Sequence, residues 1–88
     1  VVSFIQVSLD RTTPRVFEHF KEQVGRCPEV MECHMVAGGF DYLLKVRTRN
    51  MAEYRDFLGD TLAQMSDIKQ THTYVVMEEV KATHLLTV

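Results

Sequence analysis

The chain has 88 residues, 45% of them hydrophobic and 25% charged, and its 12 acidic and 10 basic side chains give a formal net charge of −2. This length suits a single domain, and the composition excludes disorder and low complexity. The charge balance argues against a chain that grips nucleic-acid phosphates by itself. The longest purely apolar run, Tyr74 to Met77, is far short of the roughly 20 residues that span a bilayer.

Val1 to Leu9 is rich in β-branched residues and reads as a strand, with Val1, Ile5, Val7 and Leu9 on one face and Val2 and Phe4 on the other. A natural chain rarely opens inside a buried element, so a start at Val1 predicts a piece of a longer protein. Asp10 to Thr13 is turn material, and Thr13-Pro14 supplies an N-cap followed by proline at the first helical position. Val16, Phe17, Phe20, Val24 and Cys27 then recur at helical spacing, until Gly25 weakens the end and Pro28 forbids continuation.

A second strand is predicted over Val30 to Ala37, with Val30, Glu32, His34 and Val36 alternating against Met31, Cys33, Met35 and Ala37. Gly38-Gly39 predicts a tight hairpin turn through positive φ angles. Phe40 to Thr48 is the third strand, with Tyr42, Leu44 and Val46 sharing a face. Asn50 with Glu53 resembles a capping box, opening a helix whose stripe is Met51, Tyr54, Phe57, Leu58, Leu62 and Met65 and which Ser66-Asp67 ends. Gln70 to Met77 is a fourth strand, and Ala82 to Val88 is a candidate fifth, strand-like tail.

The order βαββαβ predicts a ferredoxin-like α+β sandwich, a four-stranded antiparallel sheet with two helices on one face. The other face would meet water, yet strands one and four carry apolar residues on both sides, Phe4 with Ile5 and Tyr74 and Val76 with Val75 and Met77. The expectation is therefore a homo-oligomer, most simply a two-fold dimer packed sheet to sheet, with the tail across the partner's sheet edge.

Little of the composition points to catalysis. Cys33 and His34 are strand neighbours aimed at opposite faces, and no spacing of His19, His34, His72, His84, Cys27 and Cys33 gathers a metal, so no metal or cofactor is expected. Ser3, Ser8 and Ser66 lack a nucleophile motif, although a histidine such as His72 could act as a base in a small enzyme of this fold. Two cysteines are too few for a disulfide scaffold, and no basic segment leads into an apolar stretch, so a cytoplasmic setting without a secretory signal is expected. Gly38-Gly39-Phe40-Asp41-Tyr42 is the most informative segment. Exposed N–H groups at the turn suit a small carboxylate, and Asp41 suits an ammonium, although a plain turn with Asp41 solvated or capping backbone explains the spacing too. Thr71 and Thr73 place two hydroxyls on one face of the fourth strand, suited to a polar ligand, or simply serve as favoured strand residues.

Three segments carry a family resemblance: Glu32 through Val46 with the Glu-Cys-His run and the glycine turn, Met51-Ala52-Glu53-Tyr54-Arg55, and Thr73 through Lys81 with Tyr-Val-Val-Met-Glu-Glu-Val. Together they resemble the C-terminal domain of the Lrp/AsnC family over essentially all 88 residues. The resemblance implies a regulatory (RAM) domain of a bacterial transcription factor. It implies a separate N-terminal helix-turn-helix domain as the only DNA contact, dimers that assemble further, often to octamers, and amino-acid effectors held between dimers. It further implies that Gly38, Gly39, Phe40 and Asp41 line the effector cleft, with Met51, Thr73, Tyr74 and Val75 as nearby walls and Thr71 as a weaker addition. A stand-alone module of the same fold, sensing metabolites without touching DNA, is the alternative. One departure stands out: the common pattern has an acid directly after the first turn glycine, where this chain has Gly39, leaving Asp41 as the turn's one carboxylate.

Overall fold

The computed structural model describes residues 1–82. Its elements run β1 (Val2–Leu9), α1 (Pro14–Gly25), β2 (Val30–Met35), β3 (Tyr42–Arg47), α2 (Met51–Asp56) and β4 (Ile68–Val75). The strands form one antiparallel sheet in the order β2-β3-β1-β4, the ferredoxin-like arrangement expected from the sequence. The candidate fifth strand falls at 83–88, outside the described residues, apart from Ala82, which is not in a strand.

Alternation along β1 decides which face is covered. Ser3, Ile5, Val7 and Leu9 are buried under the helices, while Val2, Phe4, Gln6 and Ser8 lie on the open face. Tyr42, Leu44 and Val46 of β3 join the covered face, with Phe20 and Val24 from α1 and Phe57, Leu62 and Met65 from the second helical segment. Tyr42 anchors this core: its ring lies 4.7 Å from that of Phe20 and 6.0 Å edge-on from that of Phe17. Its hydroxyl is buried without a partner among the described residues.

Both helix starts are built as the sequence predicts. Thr13 Oγ1 accepts from the Val16 N–H at 3.3 Å with Pro14 opening the helix, and Asn50 Oδ1 accepts from the Glu53 N–H at 2.9 Å. The capping box is only half made, because the Glu53 carboxylate turns to the Arg49 guanidinium at 2.9 Å.

Four local departures from simple periodicity appear. In β2 the register slips between Val30 and Glu32, so Val30 and Cys33 both pack against the core rather than on opposite faces as strict alternation predicts. The glycine turn is wider than a tight hairpin: no glycine has positive φ, and the Val36 N–H bonds across the loop to the Asp41 carbonyl at 3.0 Å. The second helix widens into a π turn over Phe57–Thr61 and tightens to a 3-10 turn over Leu62–Gln64. That change lets Phe57 and Leu62, five residues apart, share the core face that a regular helix would deny one of them. Met51, which the sequence spacing puts on the same stripe, is instead 48% exposed. Finally, a bulge opposite Ser8 and Leu9 lets β4 begin at Ile68, before the expected Gln70.

Candidate functional site

The loop between β2 and β3 carries Gly38, Gly39, Phe40 and Asp41 at the end of the sheet where β1 leaves it. Asp41 is tied down twice: its N–H donates to the Val7 carbonyl at 2.9 Å, and its Oδ2 accepts from the Leu9 N–H at 2.8 Å. The carboxylate thus replaces a backbone carbonyl at the end of the ladder, the backbone-capping role, and its second oxygen has no partner among the described residues. Nearby, the Asp10 N–H donates to the Asp67 carbonyl at 2.9 Å, and the Asp67 carboxylate meets His19 Nδ1 at 2.6 Å. These bonds fix the end of β1 to both the loop and α1. An ideal Cβ at Gly38 or Gly39 would meet nothing within 4 Å. Neither sterics nor backbone angle within this chain therefore calls for glycine there.

Thr71, Thr73 and Val75 lie on the covered face of β4, opposite Val7, Ile5 and Ser3. Thr71 and Thr73 form one wall of a cleft of about 290 Å³ whose other wall is Leu58, Leu62, Ala63, Met65 and Ile68. The pairing of two hydroxyls was legible from their spacing. The apolar wall carries no such signal, because Leu58 and Leu62 read in the sequence only as helix-stripe residues. Tyr74 points the other way, beside Phe4 on the open face, and is 55% exposed.

Within one chain the predicted residues do not converge. Met51 and Val75 sit at the end of the sheet where β1 begins, Val1 being paired with Thr48 there. The 38–41 loop sits at the opposite end, about 20 Å away along a six-residue strand. It is also separated from Thr71 and Thr73 by β1.

On the open face, Glu32 lies 3.1 Å from His34 and 3.7 Å from Lys45. The hydrogen bond from His34, aided by the Lys45 charge, holds its carboxyl below the usual range. Burial pushes the Cys33 and Cys27 thiols up, which disfavours the thiolate form. Among the described residues, no group of three or more His, Cys, Asp or Glu side chains could hold a metal ion. No described helix is long and apolar enough to cross a membrane.

Known proteins share this arrangement. A family model described as the Lrp/AsnC ligand binding domain matches residues 2–86. The leucine-responsive regulatory protein of Escherichia coli K12 is 47% identical over 85 residues, covering 97% of this chain and 52% of that protein. The chain thus spans about half the length of the curated relatives it matches. A transcriptional regulator of Neisseria meningitidis, solved as a complex with L-Met, superposes with a TM-score of 0.88 at 31% identity, covering 98% of this chain and 55% of that one. The structure named FFRP-DM1 superposes with a TM-score of 0.78 at 26% identity, covering 88% of this chain and 99% of that one. The family model spans nearly the whole chain, and this chain belongs to the Lrp/AsnC family, as its ligand-binding domain.

Proposed function

We propose that this chain is the amino-acid-sensing and assembly domain of a bacterial transcriptional regulator. In this reading an effector bound between copies alters how a separate helix-turn-helix domain engages DNA in the cytoplasm. Family membership is the observation that carries the reading, and the open sheet face supports the assembly half of it. Phe4, Tyr74 and Val76 form an apolar patch on that face, flanked by charges of both signs, Lys45 and Arg47 with Glu32. The effector half rests on two features. Thr71 and Thr73 offer hydroxyls above an apolar cleft, and the second Asp41 oxygen is available for an ammonium. The residues are split between two ends of the sheet, so the complete site takes the 38–41 loop from one copy and Met51, Thr73 and Val75 from another. The domain is a binding module with no catalytic role.

Calorimetry of the chain against the twenty amino acids, paired with sedimentation at micromolar concentration, tests this. Saturable binding of at least one amino acid to a dimer or larger assembly is expected. A well-folded monomer that binds none would overturn the reading. The second reading, a stand-alone module that acts without DNA, is favoured by one observation: FFRP-DM1 has almost the length of this chain. A helix-turn-helix segment encoded upstream of Val1 in the same reading frame would exclude it.

A further inference from the structure

β1 ends in a segment that two neighbours hold from opposite sides. The Leu9 N–H donates to Asp41 Oδ2, in the loop before β3, at 2.8 Å. The next N–H, that of Asp10, donates to the Asp67 carbonyl, in the turn before β4, at 2.9 Å. The ladder is irregular at this point, with a bulge opposite Ser8 and Leu9. Single contacts from a side chain and a turn therefore supply the hold that a continued ladder would give.

Asp67 is itself held. Its carboxylate accepts from His19 Nδ1 of α1 at 2.6 Å and is 23% exposed. A carboxylate accepts, so Nδ1 carries the donated proton. Met65 and Ile68, on either side of Asp67, belong to the wall that faces Thr71 and Thr73 across the cleft. The Ile68 N–H closes that turn on the Met65 carbonyl at 3.3 Å. One line of contacts thus runs from the 38–41 loop through Leu9, Asp10 and Asp67 to His19 and to the cleft wall.

We propose that this line of contacts is a latch that couples neighbouring effector sites through the inside of each copy. This consequence rests on the reading that each complete site is shared: a copy lends its 38–41 loop to one site and its Thr71 and Thr73 cleft to the next. A ligand ammonium paired with the second Asp41 oxygen draws charge from the oxygen that holds the Leu9 N–H and weakens that bond. The Asp10–Asp67 bond and the adjoining cleft wall respond, so filling one site changes the affinity of the adjacent one. His19 is a positioning residue here, because it lines neither the loop nor the cleft and acts by fixing Asp67. Such coupling is reciprocal: a change at His19 is felt at Leu9, and a change at Asp41 is felt at His19.

The latch is tested without a ligand, by amide hydrogen exchange at Leu9 and Asp10, with the fully buried Leu44 in the middle of the sheet as reference. His19→Ala should accelerate exchange at both amides by about two- to fivefold relative to Leu44, the range that a partly exposed ion pair supplies. His19→Asn, whose amide nitrogen stands where Nδ1 does, should restore most of the protection. His19→Ala combined with Asp41→Ala should accelerate exchange by less than the product of the single effects, because either defect already frees the shared segment. In Asp41→Ala the ring-nitrogen resonances of His19 should move. Leu9 exchange in His19→Ala that matches the parent, or that rises only as much as at Leu44, would overturn the latch, as would single effects that multiply. If Asp41→Ala does not fold, the two His19 variants decide alone, since that side chain is 51% exposed. With an amino acid that the parent binds, calorimetry should show interacting sites in the parent and in His19→Asn, and nearly independent sites in His19→Ala. Independent sites in the parent would overturn the coupling. A chain that binds no amino acid would remove the shared site and its coupling together, while exchange at Leu9 still decides the latch, so the two readings fail separately.

Discussion

Replacing Asp41 by alanine perturbs the one candidate-site side chain that is also built into the fold. Its Oδ2 accepts the Leu9 N–H at 2.8 Å, and Leu9 is a core residue only 5% exposed. A hydrogen bond to a charged group contributes about 1.5–3 kcal/mol. Partial exposure of the carboxylate reduces this to roughly 1–2 kcal/mol. For a domain of this size about 1 kcal/mol shifts the midpoint by roughly 4–8 °C, so Asp41→Ala should melt about 5–15 °C below the parent. Asp41→Asn keeps an amide oxygen for the Leu9 N–H and should lose no more than about half as much. Circular dichroism melts at a fixed chain concentration make the comparison, since assembly would otherwise make the midpoint concentration-dependent. Hydrogen exchange at the Leu9 amide should accelerate in Asp41→Ala. An Asp41→Ala midpoint indistinguishable from the parent's, with Leu9 exchange unchanged, would refute the reasoning.

The other stability predictions follow from caps, burial and backbone freedom. Asn50→Ala removes the acceptor for the Glu53 N–H and should cost about 1 kcal/mol in denaturant titrations. Tyr42→Phe removes a buried hydroxyl that has no partner among the described residues, so stability should hold or rise by up to about 1–2 kcal/mol. Burial pushes the Tyr42 phenol up. Its share of stability is therefore present below the ordinary tyrosine value of about 10 and lost as the pH climbs through the raised folded value. Melts at neutral and strongly alkaline pH should show a shallower alkaline decline for Tyr42→Phe than for the parent. Gly39→Ala places a methyl where nothing lies within 4 Å and φ is not positive. It should stabilise by about 0.4–1 kcal/mol through the unfolded chain, and a large loss in denaturant titration would contradict the open geometry.

The architecture was legible because hydrophobic period and punctuation agreed. Thr13-Pro14 and Asn50 mark helix starts that the hydrogen bonds reproduce, and the Tyr42, Leu44 and Val46 alternation marks a buried strand face. What escaped were places where one residue more or fewer is inserted into a regular repeat. The slip at Val30 to Glu32 inverts the facing of Val30 relative to Cys33, and periodicity cannot show it because both registers bury apolar residues. The π turn at Phe57–Thr61 was hinted at by the five-residue gap between Phe57 and Leu62, a spacing that no single regular helix satisfies. The angle of the glycine turn is not encoded locally, since glycine permits positive φ without requiring it and none is adopted here. The role of Asp41 toward Leu9 depends on a strand pairing across 32 positions, which local spacing does not encode.

The separation of the candidate residues is itself informative about where a shared site would form. The end of the sheet with Met51 and Val75 exposes these side chains by 48% and 41%, and the opposite end exposes Met35 by 55%. Joining the first end of one copy to the second end of another pairs unlike surfaces, a contact that generates closed rings when the rotation permits. This geometry makes a complementation test decisive. Asp41→Ala alone, or Thr73→Val alone, damages every shared site in an assembly made of that variant. Unfolding and refolding the two variants together at equal amounts randomises the copies, so about a quarter of the sites draw both native residues and recover effector binding. A site contained within one chain would recover none, because every chain carries one defect. Calorimetry of the mixture, against each variant alone and with an amino acid that the parent binds, reads the difference as the number of sites rather than their affinity. Recovery near one site in four supports a site shared between copies; no recovery at all, from variants that refold into assemblies of parental size, would refute a site that draws Asp41 from one copy and Thr73 from another.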